Sequence, residues 1–432
     1  MNSCLFMGMA RQGILCRRMR SNAYQCLQSF IIFDDEAKDL EIIRKIISDQ
    51  NQEDAFYILD VGTIIQKHKE WIKKIPRVVP HYAIKCNPDP TVIKILAALN
   101  ASFDCASERE IQQVMRYGVT GDRIIFANPT KCPSHIKFAE KVGVDKMTAD
   151  NELELLKIKD LFPKAKIIIR FRCDSDSTHN DCINLGVKFG CDPENEAAKL
   201  IQYTKDLGLT LYGFSFHVGS PCNEFDAYAR GIQISKQLIA FSRSIGCRDV
   251  KLIDIGGGIP GETRCQLDEF SNIVNNAIKD IDPAIQIISE PGRYYVTSAF
   301  TLAAYLHSKR TILKGNRLSH MYYVNCGVYG AFVEELLNLK SRHPISLFNP
   351  LSDKKYPATL WGPTCDSFDC ILKDALLPEF QIGDWLIWGD MGAYTASIAC
   401  TFNGFMPPIV YPIIRKSEWK AFCAKTKMTD IH

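Results

Sequence analysis

The sequence predicts a (β/α)8 barrel of the TIM type, followed by a mostly β C-terminal domain. Between about residues 82 and 296, eight short apolar runs alternate with segments whose apolar residues recur at helical spacing. Alternating strands and helices imply parallel pairing, and eight such units in this length favour a closed barrel. After Arg293 the pattern changes to short strands separated by Gly and Pro. A doubly wound open sheet remains the alternative for the first part.

The predicted elements follow one another without internal repeats. The barrel strands are expected at 82–85, 102–106, 123–128, 146–149, 166–172, 211–219, 250–256 and 285–290. The helices are expected at 91–99, 108–117, 134–142, 152–161, 194–207, 225–245 and 267–281. Strands of the second domain are expected at 321–324, 358–361, 385–388 and 409–414.

These elements divide the chain into three parts. Residues 1–36 are predicted to be a disordered tail, residues 37–296 the barrel, and residues 297–432 the β-rich domain. The early run at 55–60 is a candidate strand of the second domain.

Composition excludes several classes of protein. The chain has 432 residues, 46% of them hydrophobic, and a net charge of +3, without the basic stripe typical of nucleic-acid binding. No apolar run approaches the length of a membrane span. The 17 cysteines show neither a C-x-x-C pair nor the spacing of a metal site, and therefore indicate free thiols in a reducing compartment.

The N-terminal segment has two interpretations. It carries Arg11, Arg17, Arg18 and Arg20 before the first acid, Asp34, as a mitochondrial presequence would. A disordered basic tail explains the same residues. We expect a cytoplasmic protein, with mitochondrial import as the alternative.

Polar residues concentrate where the predicted strands end. In a (β/α)8 barrel the active site lies at the carboxyl ends of the strands, so these side chains are expected to meet. They are Lys85, Asp104, Arg170, His217 and Ser220, the glycines Gly256, Gly257 and Gly258, and Glu290 with Arg293.

Each of these residues also has an ordinary structural explanation. Lys85 would be a solvated strand-end lysine, His217 a core histidine, Glu290 a cap, Arg293 a surface ion-pair partner, and the glycines a tight turn. Together they match the needs of pyridoxal phosphate. A lysine forms a Schiff base, glycines and an arginine bind the phosphate, an acid keeps the pyridine nitrogen protonated, and an imidazole stacks on the ring.

Several motifs carry a specific resemblance to the eukaryotic ornithine decarboxylase family, whose members are pyridoxal-phosphate-dependent enzymes of fold type III. The motifs are YAIKCN at 82–87, FDCAS at 103–107, SFHVGS at 215–220, DIGGG at 254–258, EPGRYYV at 290–296, WGPTCD at 361–366 and MGAYT at 391–395. The resemblance extends from about residue 55 to residue 414. It implies ornithine decarboxylation to putrescine in polyamine biosynthesis, and a cytosolic homodimer with active sites at the subunit interface.

The resemblance also implies a role for each matching residue. Lys85 forms the Schiff base, His217 stacks on the ring and Glu290 meets the pyridine nitrogen. The remaining cofactor contacts are Asp104, Arg170, Ser220, Gly257, Gly258, Arg293 and Tyr394. From the partner subunit, Cys365 delivers a proton and Asp366 holds the distal ammonium of the substrate. Tyr329 and Asn338 are the remaining substrate-binding positions.

Three positions depart from the family pattern. Asn338 stands where an aspartate usually binds the terminal amine, although Glu334 or Glu335 substitutes if the loop is shifted. Cys326 replaces another aspartate, and Pro221 replaces a glycine. These departures affect the expected substrate more than the expected cofactor.

The departures keep two alternatives open. One is a related decarboxylase with another amino-acid substrate. The other is a non-catalytic protein resembling the antizyme inhibitors. Residues 128–146 also resemble the antizyme-binding element of the family, with Lys131, Lys137 and Lys141 retained. Antizyme is therefore an expected partner, although a basic helix face is usually only solvated.

Overall fold

The computed structural model describes residues 30–173, 185–348 and 354–426 of the chain. Most of the predicted tail lies outside these ranges. The strands, in chain order, are β1 Ile31–Phe33, β2 Phe56–Asp60, β3 Val78–Ala83, β4 Ser102–Cys105, β5 Ile124–Phe126, β6 Lys146–Ala149, β7 Lys166–Arg170, β8 Thr210–Ser215, β9 Leu252–Asp254, β10 Gln286–Ser289, β11 Phe300–Lys314, β12 Arg317–Val324, β13 Ile345–Ser346, β14 Lys355–Trp361, β15 Cys370–Pro378, β16 Trp385–Trp388 and β17 Ile409–Arg415.

The helices lie mostly between the barrel strands. They are α1 Asp39–Gln50, α2 Val61–Lys74, α3 Pro90–Ala98, α4 Glu108–Met115, α5 Pro133–Val142, α6 Glu152–Leu161, α7 Ala197–Asp206, α8 Asp226–Ser244, α9 Asp268–Ile278, α10 Arg293–Val296, α11 Val333–Leu336 and α12 Lys416–Thr426. No helix in the described part of the chain is long and apolar enough to cross a membrane.

Strands β3 to β10 form a closed parallel barrel, in which β10 pairs with both β9 and β3. The predicted (β/α)8 barrel is therefore confirmed, and the open sheet is excluded. Ile125, Ile168, Leu252 and Ile288 form a fully buried cluster inside it, so the middle of the barrel is packed and only its ends are free for a site.

The second domain is a nine-stranded sheet that confirms the predicted β-rich architecture. Its order is β1-β17-β2-β11-β12-β14-β15, and β16 pairs with β11 and β13. The sheet takes strands from both ends of the described chain, because β17 pairs in parallel with β1 and with β2.

This pairing changes the predicted domain limits. Strand β2 belongs to the sheet, as the alternative assignment of 55–60 allowed. Strand β1 lies within the predicted tail, and α1 lies within the predicted barrel, but both pack on the sheet through a cluster that includes Phe33, Ile42 and Trp385. The barrel proper starts only after these elements. The local pattern missed this because the partner strand lies more than 350 residues away in sequence.

Candidate active site

A cavity of about 490 Å³ opens at the carboxyl ends of the barrel strands. Most of the predicted cofactor-binding side chains line it, together with one carboxylate that was not among the predicted site residues. These side chains are Lys85, Arg170, His217, Ser220, Glu290, Arg293, Glu334 and Tyr394.

Lys85 follows β3 within a short 3-10 turn, Ile84–Cys86. The turn is fixed from outside, since the Tyr82 hydroxyl donates to the Asn87 carbonyl at 2.8 Å and the Tyr394 amide donates to the Cys86 carbonyl at 3.0 Å. The Lys85 side chain is 42% exposed to the cavity and forms an ion pair with the buried carboxylate of Asp104 on β4. The amine is therefore positioned at the cavity wall.

The charge state of Lys85 follows from its neighbours. Enclosure in the protein lowers the pKa of the amine, but the negative charges of Asp104 and Glu290 more than offset this, so the pKa lies above its usual value. Lys85 is thus an ammonium at neutral pH in the absence of a ligand.

Three carboxyl groups, those of Asp104, Asp254 and Glu290, lie near the lysine, and two of them have an oxygen without a hydrogen-bond partner. Within the described residues, Asp104 Oδ1 and Asp254 Oδ2 are buried without a hydrogen-bond partner. Burial, followed by the charges of Asp104 and Asp254, raises the pKa of Glu290 well above its usual value. Burial also raises the pKa of Asp254 to about 7. Such an acidic cluster accommodates a ring nitrogen that carries a proton.

His217 lies in the loop after β8 and presents a neutral ring. Burial, followed by the positive charges of Arg170 and Lys85, lowers its pKa well below the usual value. The Gly219 amide donates to His217 Nδ1 at 3.1 Å, so the neutral ring carries its proton on Nε2. A neutral, fixed imidazole is suited to stacking on an aromatic ligand.

The glycine turn after β9 has no room for side chains. A Cβ at Gly257 would lie 2.4 Å from the Glu290 carbonyl oxygen, and one at Gly258 would lie 2.1 Å from the Gly219 carbonyl oxygen. Gly258 also has φ of +93°, a conformation that favours glycine. Glycine is therefore required here by the packing of the turn against the neighbouring backbone. The predicted glycines Gly257 and Gly258 are not among the residues that line the cavity.

Arg293 and Ser220 complete this side of the cavity. Arg293 Nε donates to Ser220 Oγ at 2.9 Å, and its guanidinium lies 4.7 Å from the centre of the Tyr394 ring. The lysine, the neutral imidazole, the acidic cluster and this cradle all fit pyridoxal phosphate.

One contact competes with that fit. Arg293 Nη2 already donates to Glu334 Oε1 at 2.5 Å, and both side chains are 4% exposed. Glu334 lies on α11, where an acidic pair interrupts an otherwise apolar segment. On the sequence alone this pair is a candidate substitute for the aspartate that Asn338 replaces, that is, with a role towards the substrate, whereas the contact seen here is with Arg293.

Asn338 does not line the cavity of Lys85. It lines a separate cavity of about 750 Å³ in the sheet domain, together with Glu335 and Trp361. Its backbone has φ of +56°, and the residues of segment 333–339 are divided between the two cavities. Glu334, and not Asn338, is therefore the residue of this segment that brings a carboxylate to the Lys85 cavity, and the substrate contact of Asn338 stays a prediction.

Cys365, Asp366 and Tyr329 form a second cluster, also outside the Lys85 cavity. The Tyr329 hydroxyl donates to Asp366 Oδ2, and this bond, followed by one from the Phe368 amide, holds the pKa of Asp366 below its usual value. The Cys365 amide donates to Asn403 Oδ1 at 3.0 Å, and the residue is exposed.

A buried carboxylate that was not predicted organises this second cluster. Asp369 is 1% exposed and accepts hydrogen bonds from the Val328 amide at 2.8 Å and the Thr364 amide at 3.0 Å. It thereby joins the loop that carries Tyr329 to the loop that carries Cys365. No spacing in the sequence indicated this link, because the two loops are about 40 residues apart.

Comparison with known proteins gives a consistent result. Residues 61–297 match the family model described as pyridoxal-dependent decarboxylase, pyridoxal binding domain. The chain is 39% identical over 402 residues to ornithine decarboxylase of Mus musculus, covering 89% of this chain and 86% of the relative. It is 40% identical over 401 residues to antizyme inhibitor 2 of Xenopus laevis, covering 89% and 87%.

A solved structure extends the comparison to three dimensions. The arginine decarboxylase of Paramecium bursaria Chlorella virus, solved with agmatine, superposes with a TM-score of 0.82 at 36% identity. The superposition covers 87% of this chain and 100% of that one.

Proposed function

This chain belongs to the family of pyridoxal-dependent decarboxylases that includes eukaryotic ornithine decarboxylase, and we propose that it converts L-ornithine to putrescine and CO2. The observation that carries the proposal is the meeting of Lys85, a neutral His217, Glu290 and Arg293 in one cavity at the carboxyl ends of the barrel strands. Putrescine is a polyamine precursor, so the reaction places the protein in polyamine biosynthesis.

The barrel residues bind and orient the cofactor. When bound, pyridoxal phosphate supplies an electron sink for the electron pair released as CO2 leaves the substrate. Lys85 would hold the cofactor aldehyde, His217 would pack against the ring, and Glu290 would pair with the ring nitrogen. Arg293, with Ser220 and the glycine turn, would bind the phosphate. The buried acids keep positive charge at the ring, where it assists decarboxylation.

The second cluster acts on the substrate. Asp366 is anionic at neutral pH, because the Tyr329 hydroxyl stabilises its charge, and it is suited to hold the distal ammonium of ornithine. The Cys365 thiol delivers a proton to the substrate carbon that lost CO2. The family resemblance implies that each site takes these residues from a second copy of the chain, and their position outside the Lys85 cavity of their own chain supports this proposal.

An exposed apolar patch around Cys365 supports this homodimer. Phe368 is 67% exposed, Met406 is 78% exposed, and Phe402 and Phe405 are each more than 40% exposed. Phe402 packs on Tyr329 with ring centres 4.6 Å apart, so the patch is continuous with the second cluster. Apolar side chains gathered at a reactive thiol indicate a surface that another copy covers.

Two measurements test the proposal. Borohydride reduction in the presence of the cofactor should modify Lys85, and mass spectrometry of the digested protein should locate the adduct. Release of CO2 from ornithine, lysine and arginine should then give the highest specificity constant for ornithine. An unmodified Lys85 would remove the enzyme assignment, whereas preference for lysine or arginine would change only the substrate.

The second candidate function is decarboxylation of another basic amino acid. The family pattern expects an aspartate at position 338 to bind the terminal amine of the substrate. Here Asn338 lies outside the Lys85 cavity and the carboxylate within it is that of Glu334, which favours a different substrate. The same substrate comparison separates the two functions.

Antizyme binding is a further proposal, supported by the similarity to antizyme inhibitor 2. Helix α5 exposes Lys137 and Lys141, but Lys131 is 2% exposed and forms an ion pair with Glu154 at 2.9 Å. Only the first two lysines are therefore available to a partner. Charge reversal of Lys137 and Lys141 should abolish binding to purified antizyme, while a Lys45→Glu variant, on the distant helix α1, should retain it.

We also propose a cytoplasmic location, supported by the free cysteines of the described residues. Fractionation of cells that express the full chain tests this. Recovery of the protein in mitochondria, with its N-terminal segment removed, would instead identify that segment as a presequence.

A further inference from the structure

Four buried charges form a chain from the cofactor cavity into the sheet domain. Glu334 Oε1 accepts from Arg293 at 2.5 Å, and Glu334 Oε2 accepts from Arg342 at 2.6 Å. Arg342 also donates to Glu335 Oε1 at 2.5 Å. All four side chains are at most 12% exposed. Arg293 is shared between this chain and the phosphate cradle.

The chain of charges is balanced without any ligand. With both carboxylates ionised, the two guanidinium groups and two carboxylates sum to zero. A phosphate ester brings about −1.5 to −2 charges at neutral pH. Its arrival at Arg293 would place three anionic groups around two cations in a site shielded from water, where like charges repel strongly.

Glu334 and Glu335 differ in one respect that matters here. Glu335 contacts Arg342 and lines the outer cavity, whereas Glu334 contacts Arg293 and lines the Lys85 cavity. Of these two glutamates, only Glu334 accepts a hydrogen bond from the Arg293 guanidinium, which the phosphate would need. Because Glu334 also forms an ion pair with Arg342, it can release Arg293 and still have a cationic partner.

We propose that Glu334 competes with the phosphate of the cofactor for Arg293 and thereby sets the affinity of this site for phosphorylated ligands. This inference rests on the proposed function, because it assigns the phosphate of pyridoxal phosphate to Arg293. Cofactor binding then includes the transfer of Arg293 from Glu334 to the phosphate. The site binds its cofactor less tightly than the same cradle without Glu334.

The experiment compares the wild type with Glu334→Gln and with Glu335→Gln as the matched control. Each cofactor-free dimer is titrated with pyridoxal 5'-phosphate, with pyridoxal, which lacks the phosphate, and with inorganic phosphate. Cofactor absorbance follows the first two titrations, and calorimetry follows the third. Thermal unfolding shows whether each variant is folded, and Glu334→Met replaces Glu334→Gln if the latter is not.

The expected result is selective for the phosphate. Glu334→Gln should bind pyridoxal 5'-phosphate and inorganic phosphate about tenfold more tightly, since loss of one competing charge is worth about a factor of ten. Its affinity for pyridoxal should stay within about twofold. Glu335→Gln removes a charge that does not contact Arg293, so its gain for the two phosphate ligands should be about threefold or less, and its affinity for pyridoxal should match the wild type.

Other outcomes separate this inference from the proposed function. Unchanged or weaker phosphate binding by Glu334→Gln would overturn the inference, and so would an equal gain for pyridoxal. If neither protein bound pyridoxal 5'-phosphate, the proposed function would fail and the inference with it. If only Glu334→Gln bound the cofactor, the inference would hold and the wild-type protein would be non-catalytic.

Discussion

The carboxyl end of the barrel and the two loops of the sheet domain differ in how closely they follow the family pattern. At the barrel, Lys85, His217, Glu290 and Arg293 all line one cavity, and the one departure named on this side is Pro221, which follows Ser220. In the loops, Cys326 and Asn338 depart from the pattern, and Glu334 contacts an arginine predicted to bind phosphate. The difference indicates that the residues expected to bind the cofactor are placed by the ends of the barrel strands, whereas the residues expected to bind the substrate lie in loops that depart more from the family pattern.

The largest expected effect concerns the barrel. Lys85→Ala should abolish covalent capture of the cofactor and lower kcat by more than about a thousandfold, because Lys85 is the cavity lysine that pairs with the acidic cluster through Asp104. Lys188 also lines the cavity, but its amine lies over the ring of Phe189. Borohydride labelling and CO2 release measure the two effects. Substantial activity in this variant would mean that the barrel is not the catalytic half of the molecule.

The next effect concerns the loops. Cys365→Ala should lower formation of putrescine by roughly 10²–10⁴-fold, because a positioned proton donor is lost. Its absorbance on cofactor binding should remain that of the wild type, since Cys365 does not line the Lys85 cavity.

Mixing Lys85→Ala with Cys365→Ala tests whether one active site takes Lys85 and Cys365 from the same subunit or from two subunits. If sites are shared, half of the randomly assorted dimers are mixed and each has one intact site, so activity returns to about a quarter of the wild-type value. No recovery on mixing would place Cys365 and Lys85 in one subunit's site.

A smaller effect is expected at the opposite end of the barrel, where no function is proposed. Burial, followed by the nearby charges of Lys146 and Arg123, lowers the pKa of His81 to about 3. The unfolded chain binds a proton near pH 6.5 that the folded chain does not, so stability falls as pH falls from 6.5 towards 3.

His81→Gln removes this titration. Between pH 7.5 and pH 5 the stability advantage of the wild type over this variant should shrink by about 2 kcal/mol. Urea unfolding at the two pH values measures it. A constant difference would show that His81 titrates normally in the folded protein.

The smallest effect is expected at Asn338. Because this residue lines the outer cavity, Asn338→Asp should change KM for ornithine by less than about threefold. Steady-state kinetics with ornithine and lysine provide the measurement. A tenfold fall in KM would show that position 338 contacts the substrate. The loops would then follow the family pattern as closely as the barrel does.

Sequence reasoning succeeded where the signal was local. The alternation of strands and helices predicted the barrel, and because strand ends converge by geometry, Lys85, His217 and Glu290 were expected together before any coordinates. The strands end earlier than predicted. For example, β8 ends at Ser215 and not at Gly219, so His217 and Ser220 lie in a loop.

The failures involve contacts that no local pattern encodes. The hydrogen bonds of Asp369 to two separate loops, and the side of α11 on which Glu334 lies, depend on how distant segments pack. Ungapped counting placed Asn338 at the substrate, but a left-handed residue within this segment turns the side chain elsewhere. Glu334, four positions earlier, is the carboxylate of this segment that lines the Lys85 cavity.

The pairing of β17 with β1 and β2 has a consequence for the order of folding during translation. During translation the whole barrel segment is synthesised before most strands of the sheet. It can therefore begin to fold while the sheet domain is still being synthesised. Strand β1 gains its partner only when β17 is made, and until then β2 pairs with β11 alone. This side of the sheet is therefore completed after the barrel.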